Sequence, residues 1–124
     1  MTALEALRAV FAAWEAGDAD ALGPLFCDDG AYLDPLKAGP LNGPESIVAG
    51  NRPAMAAIED CRITVAVELE AGERAVVEGL FTSRLVDGGA RFDFPFMALV
   101  ELHEGRILRL AEYFDTRTLI GDAG

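Results

Sequence analysis

Basic side chains are scarce in this sequence. Lys and Arg total 10 against 21 Asp and Glu, which gives a formal net charge of -11. Such a charge argues against binding to phosphate backbones or anionic membrane surfaces, so we expect neither nucleic acid nor a membrane as a partner. Histidine is scarcer still: His103 is the only one, and the turn pattern it forms with Glu104 and Gly105 places it outside any site.

Cysteine and long apolar runs are also in short supply. Cys27 and Cys61 are isolated from each other and from the histidine, so the sequence predicts reduced packing residues rather than a zinc site or a redox pair. No uncharged run approaches the roughly 18 residues that a bilayer requires, and the first residues do not resemble a signal peptide. We therefore expect a soluble cytoplasmic protein that works without metal or cofactor.

Apolar residues are plentiful. The chain has 124 residues and is 52% hydrophobic, which predicts one compact domain over residues 1–124. A capping box at Thr2 and apolar residues at helical spacing predict a first helix that ends at Gly17. A shorter helix follows to about residue 26. Residues 35–44 are expected to form a loop, and Pro44 to begin a further helix that Gly50 and Pro53 break or kink.

The apolar period changes to two after Cys61. Alternation and short turn motifs predict four long strands in a meander, over about residues 61–70, 74–86, 90–102 and 106–115. Pro95 cannot donate to a ladder and is expected at a bulge or an edge position. Helices followed by strands predict an α+β fold, with the helices packed on one face of a curved sheet.

Two acidic residues stand at apolar strand ends, each two positions after a tyrosine. Asp28, Asp29 and Gly30 are expected to form a turn into a strand over residues 31–34, in which Tyr32 and Asp34 share a face.

Tyr113 and Asp115 repeat this arrangement at the other end of the chain. A carboxyl in apolar surroundings is suited to proton transfer, because burial raises its pKa. The alternative for each acid is structural: Asp34 caps a turn before Pro35, and Asp115 lies at a frayed strand end beside Thr116 and Arg117.

Several short motifs occur in a familiar order. Among them are Tyr32-x-Asp34-Pro35, Gly43-Pro44-Glu45-x-Ile47 and Tyr113-Phe114-Asp115. Together they resemble the NTF2-like superfamily, which includes SnoaL-like polyketide cyclases, ketosteroid isomerases and limonene-epoxide hydrolases. The resemblance implies an NTF2-like (cystatin-like) cone, in which N-terminal helices pack on a strongly curved antiparallel or mixed sheet around an apolar pocket. It also implies a homodimer.

The resemblance implies roles for individual residues. Asp34 resembles the general base of the isomerases, with Tyr32 or Asp115 as the acid or orienting group. Where the isomerases place their oxyanion-stabilising residues, this chain has Val10 and Met97.

Further residues enter by the same comparison. Asp93 substitutes for the missing oxyanion-stabilising acid only if its side chain faces the pocket. The competing interpretation is that Asp93 faces solvent. Compared with the epoxide hydrolases, Asp34 occupies the position of an asparagine. Arg84 matches one member of their acid–arginine pair, and Val86 stands at the other. In the cyclases, a late-strand acid such as Asp115 moves protons.

These comparisons predict a small acid/base enzyme, an isomerase or cyclase, acting on a hydrophobic carbonyl compound that is steroid- or polyketide-like. An epoxide hydrolase and a non-catalytic ligand-binding or dimerisation module are the alternatives. Alternation makes Phe92, Phe94 and Phe96 packing residues rather than ligand contacts. The expected ligand contacts are Phe11, Trp14, Arg84, Met97 and Tyr113.

Overall fold

A computed structural model describes the backbone of residues 1–120 and the side chains of residues 1–118. Helices pack on one face of a six-stranded sheet in the order β2-β1-β6-β5-β4-β3. The helices are α1 (Ala3–Ala16), a 3₁₀ helix (Ala19–Leu25), α2 (Pro44–Ala56) and α3 (Arg117–Ile120). The strands are β1 (Phe26–Leu33), β2 (Leu41–Asn42), β3 (Ile58–Ala71), β4 (Arg74–Leu85), β5 (Arg91–His103) and β6 (Arg106–Phe114). The predicted α+β class is confirmed.

The sheet is mixed. Strands β3 to β6 form the predicted antiparallel meander, and β1 joins it by running parallel to β6, with Tyr32 opposite Leu110. Two faces result. The inner face packs against the helices and carries Val77, Phe94 and Val100 into the core, and the outer face carries the alternate residues.

Helix α1 begins and ends as its sequence indicates. The Thr2 hydroxyl accepts from the Glu5 amide, the Glu5 carboxylate accepts from the Thr2 amide, and Gly17 ends the helix in the left-handed conformation. Its apolar side packs Leu7 and Phe11 against the sheet.

The segment around Gly30 differs from prediction. Asp28, Asp29 and Gly30 lie within β1 instead of forming a turn, at an irregularity where the pairing with β6 shifts. A Cβ at Gly30 would lie 2.9 Å from the carbonyl oxygen of Ile107, so close backbone approach explains the glycine.

Two further differences concern residues 35–56. The predicted loop contains β2, whose Leu41 and Asn42 pair with β1. Helix α2 continues through Gly50 and Pro53, so the predicted break is wrong. Gly50 instead permits close packing, because a Cβ there would lie 2.6 Å from the Leu41 side chain.

Pro95 lies in a stretch of β5 that is paired on one side only, and no bulge occurs there. It pairs with Leu80 of β4, while pairing with β6 begins only at Phe96 opposite Phe114. The missing amide therefore removes no bond to β6. Cys27 and Cys61 are both free and buried, as predicted. No helix within residues 1–120 is long and apolar enough to cross a bilayer.

Candidate functional site

A cavity of about 110 Å³ lies between the helices and the inner face of the sheet. Its walls are mainly apolar, and three of its lining residues are ionisable. The lining residues are Phe11, Trp14, Asp34, Leu36, Lys37, Ala54, Ile58, Ile63, Phe81, Phe92, Phe94, Phe96, Glu112 and Phe114.

Aromatic rings dominate the walls, since six of the seven phenylalanines and the only tryptophan line the cavity. The Phe94 ring lies 4.8 Å from Phe81 and 4.6 Å from Phe114, and Trp14 meets Phe81 edge to face. Phe94 and Phe96 are buried core residues as expected from alternation, and both also border the cavity.

Asp34 lies immediately after β1, at the edge of the cavity. Its Oδ1 accepts a hydrogen bond of 2.8 Å from the Leu36 amide, and its carbonyl accepts one from the Lys37 amide. Asp34 therefore does cap a turn, as the structural alternative proposed. The same turn fixes the carboxylate at the cavity, so the structural and chemical interpretations are compatible.

Glu112 brings a second carboxyl to the cavity. It lies on β6, and the parallel register of Tyr32 with Leu110 puts Asp34 and Glu112 on the same face of neighbouring strands. The pKa of the Glu112 carboxyl is raised to about 7, mainly by burial and to a smaller extent by the nearby Asp34 carboxylate, while a hydrogen bond from Tyr32 and the charge of Lys37 oppose the rise. Near neutral pH, Glu112 is therefore partly protonated.

Tyr32 supports Glu112 from behind the cavity wall. Its side chain is fully buried, its hydroxyl hydrogen-bonds the Glu112 carboxyl, and the Trp14 indole Nε1–H donates to the hydroxyl at 3.3 Å. Burial raises the pKa of the Tyr32 phenol well above its usual range, so it stays protonated. The chain from Trp14 through Tyr32 fixes the orientation of the Glu112 carboxyl.

The structure does not bring Asp115 to the cavity. Asp115 is exposed and follows β6, and its Oδ2 lies 2.7 Å from Nη2 of Arg117. Hydrogen bonds from the Arg117 side chain and amide lower the pKa of Asp115 to about 2. Because side chains alternate along β6, the acid that faces the cavity is Glu112, three residues earlier.

The expected ligand contacts divide between the two faces of the sheet. Phe11 and Trp14 line the cavity. Arg84, Met97 and Tyr113 lie on the outer face, since each occupies an outward position in its strand. Alternation along the strands separates these three residues from the cavity.

The positions compared with the isomerase oxyanion hole supply no donor. Val10 is buried in the core, and Met97 is on the outer face. Asp93 is exposed on the outer face as well, as its solvent-facing interpretation predicted.

Sequence reasoning missed Glu112 and Lys37. A signal for Glu112 exists: Leu110, Glu112 and Phe114 alternate along β6, which places the acid on the apolar face. No comparable pattern marks Lys37, because it reaches the cavity through the turn that Asp34 caps. In the part of the chain with described side chains, no three His, Cys, Asp or Glu residues are grouped closely enough to hold a metal ion.

Comparison with solved structures gives the same fold. A hypothetical protein from Catenulispora acidiphila with a ketosteroid isomerase-like fold, in complex with trimethylamine, is 25% identical, with a TM-score of 0.84 over 99% of this chain and 95% of that chain. A candidate polyketide cyclase from Pseudomonas putida is 22% identical, with a TM-score of 0.83 over 100% and 99%. An LEH-like epoxide hydrolase from M. tuberculosis is 19% identical, with a TM-score of 0.77 over 95% and 86%.

No curated protein matches this sequence. The family model of the SnoaL-like domain matches residues 7–110, which include α1 from Leu7 onward, the whole of β1 to β5 and the first half of β6. The structural neighbours share the helix-on-sheet architecture described above. The chain therefore belongs to the SnoaL-like domain family, with the NTF2-like fold.

Proposed function

We propose that this protein is an acid/base enzyme that moves a proton on a hydrophobic carbonyl compound, as an isomerase or a cyclase. The supporting observation is a pair of carboxyls, Asp34 and Glu112, at one aromatic cavity in different environments. Pairs of titratable groups whose surroundings separate their proton affinities are suited to divide the roles of base and acid.

In the proposed mechanism, the Asp34 carboxylate removes a proton from the carbon beside the carbonyl. The Leu36 amide holds this carboxylate in place through the turn. Negative charge then develops on the carbonyl oxygen, and protonated Glu112 donates a hydrogen bond to it. An isomerase returns the proton from Asp34 to a different carbon, whereas in a cyclase the enolate carbon attacks a second carbonyl.

Tyr32 is a positioning residue in this mechanism. In this role its hydroxyl donates a hydrogen bond to the Glu112 carboxyl and so holds the acid at the cavity wall. Lys37 lines the same cavity. Its positive charge lowers the pKa of Glu112 and so limits how far burial raises that pKa.

Proton exchange tests the proposal without knowledge of the natural substrate. Acetophenone in D₂O should exchange its methyl protons faster with the protein than with buffer, as followed by NMR. Asp34→Asn should lower the enzymatic rate about 10²- to 10⁴-fold, since it removes the base. The matched control Asp93→Asn alters an acid on the outer face and should leave the rate unchanged. Equal rates for wild type and Asp34→Asn would remove Asp34 from the mechanism.

Epoxide hydrolysis is the second candidate. The observation favouring it is the Tyr32–Glu112 hydrogen bond near Asp34, an arrangement that can orient water. The arginine expected for such a site, Arg84, lies on the outer face. Styrene oxide in ¹⁸O-labelled water distinguishes the two reactions, because only hydrolysis places solvent oxygen in a diol product.

We also propose that the protein forms a homodimer through the outer face of the sheet. Leu80, Met97 and Tyr113 are 40%, 45% and 56% exposed there. They line a groove that also includes Thr64, Glu78 and Pro95. Apolar exposure on this scale is typical of an interaction surface.

A further inference from the structure

The cavity concentrates seven of the ten aromatic side chains of the protein in one place. Phe26 is the only phenylalanine outside its lining, and both tyrosines are outside it too. A merely apolar pocket could be built from aliphatic side chains, which this chain has in abundance. The choice of rings is therefore informative about the ligand.

Four of these rings also share an orientation, while Phe11 and Trp14 meet their neighbours edge to face. Phe92 and Phe94 lie within 5° of parallel, Phe81 and Phe94 within 19°, and Phe94 and Phe114 within 32°. Phe81 and Phe94 are direct cross-strand partners, so the sheet itself sets this alignment. A flat π system can continue such an array by stacking or meet it edge to face, whereas a puckered saturated ring presents no matching quadrupole.

The volume of the cavity limits the size of the ligand. About 110 Å³ is near the roughly 150 Å³ of a protein cavity known to hold benzene. It is well below the roughly 300 Å³ at which pockets for drug-sized molecules begin. Because the cavity is partly open, a single ring can fill it and carry a small substituent toward its mouth, whereas a fused polycyclic skeleton exceeds the enclosed space.

We infer that the substrate is a carbonyl compound built on a single aromatic or fully conjugated ring, and that steroid nuclei and multi-ring polyketides are excluded. The inference rests on the proposed function only in taking this cavity as the substrate site. The ring lies among the phenylalanines, and its carbonyl group faces Asp34 and Glu112, which line the same cavity.

Calorimetric titration with three ketones tests the inference on the wild-type protein. Acetophenone carries a planar ring, cyclohexyl methyl ketone has the same carbonyl on a saturated ring, and testosterone is a four-ring ketone. Acetophenone should bind at least about five-fold more tightly than the cyclohexyl compound, since each aromatic contact contributes about two- to ten-fold. Testosterone should not bind.

Variants of the lining phenylalanines test whether these rings cause the preference for an aromatic ligand. Phe81→Leu and Phe92→Leu should each reduce the ratio of aromatic to saturated affinity, while Tyr113→Leu on the outer face should leave it unchanged. Phe92 and Phe81 are only half-buried, so both variants are expected to fold, and thermal unfolding checks this.

Equal affinity for the two single-ring ketones, tighter binding of testosterone, or no binding of acetophenone up to its solubility limit would overturn the inference. Binding is measured without turnover, so its outcome is separate from that of the proton-exchange experiment. Selective binding with no Asp34-dependent exchange would refute the proposed reaction and retain the ligand class.

Discussion

The two faces of the sheet both carry large apolar residues, but in different surroundings. On the inner face, Phe94 and Phe96 are 6% exposed and surround a cavity that holds Asp34 and Glu112. On the outer face, Met97 and Tyr113 are about half exposed. Alternation along β5 and β6 places neighbouring residues on opposite sides, so one position decides whether a side chain faces the cavity or the outer surface.

The acidic residues show the same division. Burial raises the pKa of Glu112 to about 7, whereas exposed Asp115 has its pKa lowered to about 2 by Arg117. The two carboxyls are three residues apart in sequence. Their surroundings, rather than their chemistry, separate an acid that can hold a proton at neutral pH from one that cannot.

After Asp34, Glu112 should give the largest effect at the cavity. Glu112→Leu should lower the proton-exchange rate about 10²- to 10³-fold, because it removes the donor to the developing oxyanion. The wild-type rate should fall as pH rises through about 7, where Glu112 loses its proton. Glu112→Gln keeps an uncharged donor and should lose this alkaline decline. An unchanged pH profile in Glu112→Gln would assign the decline to another group.

Stability should respond to the same residue. The pKa of Glu112 is raised from 4.5 to about 7 in the folded protein, so its protonation contributes stability that is fully present below about pH 4.5 and lost as pH rises through about 7. Relative to Glu112→Gln, wild type should lose roughly 2–3 kcal/mol of unfolding free energy between pH 4.5 and pH 8, as measured by urea denaturation. A constant difference would show that Glu112 is not desolvated.

The outer face of the sheet offers a test with a smaller expected effect, on association rather than on the proton-exchange rate. Met97→Asp should weaken the proposed homodimer by about ten-fold or more, since it places a charge in an apolar interface. Light scattering across a dilution series measures the effect. Ala12→Asp adds the same charge on an exposed position of α1 and should not change association. A wild-type monomer at micromolar concentration would contradict the proposed dimer.

Asp115 should have the smallest effect. Asp115→Asn removes an exposed ion pair with Arg117 and should leave the proton-exchange rate and its pH profile unchanged, because Asp115 does not reach the cavity. A loss of rate comparable with that of Asp34→Asn would return Asp115 to the mechanism and require a different arrangement of β6.

Local patterns predicted most of the fold. The capping box at Thr2, the strands after Cys61 and the short turns that link β3 to β6 each depend on neighbouring residues, and each is confirmed. The strand around Gly30 and the pairing of β2 could not be predicted in this way. The strand around Gly30 depends on its contact with Ile107, and β2 depends on its pairing with residues 31–32.

The site was only partly predictable for a related reason. Asp34, Phe11 and Trp14 were identified from local motifs and helical spacing, and all three line the cavity. The prediction placed Asp115, rather than Glu112, on the cavity-facing side of β6. A shift of one residue along a strand moves a side chain to the other face. The parallel pairing of β1 with β6, which brings Asp34 and Glu112 together, leaves no local trace in the sequence.

Titration of the Glu112 carboxyl carbon by ¹³C NMR tests most directly whether a desolvated acid faces Asp34 in the cavity. Glu112→Gln assigns the resonance by removing it. We predict a midpoint near 7 that falls in Asp34→Asn, where the neighbouring negative charge is gone. A midpoint near 4.5, the same with and without Asp34, would contradict the proposed cavity chemistry.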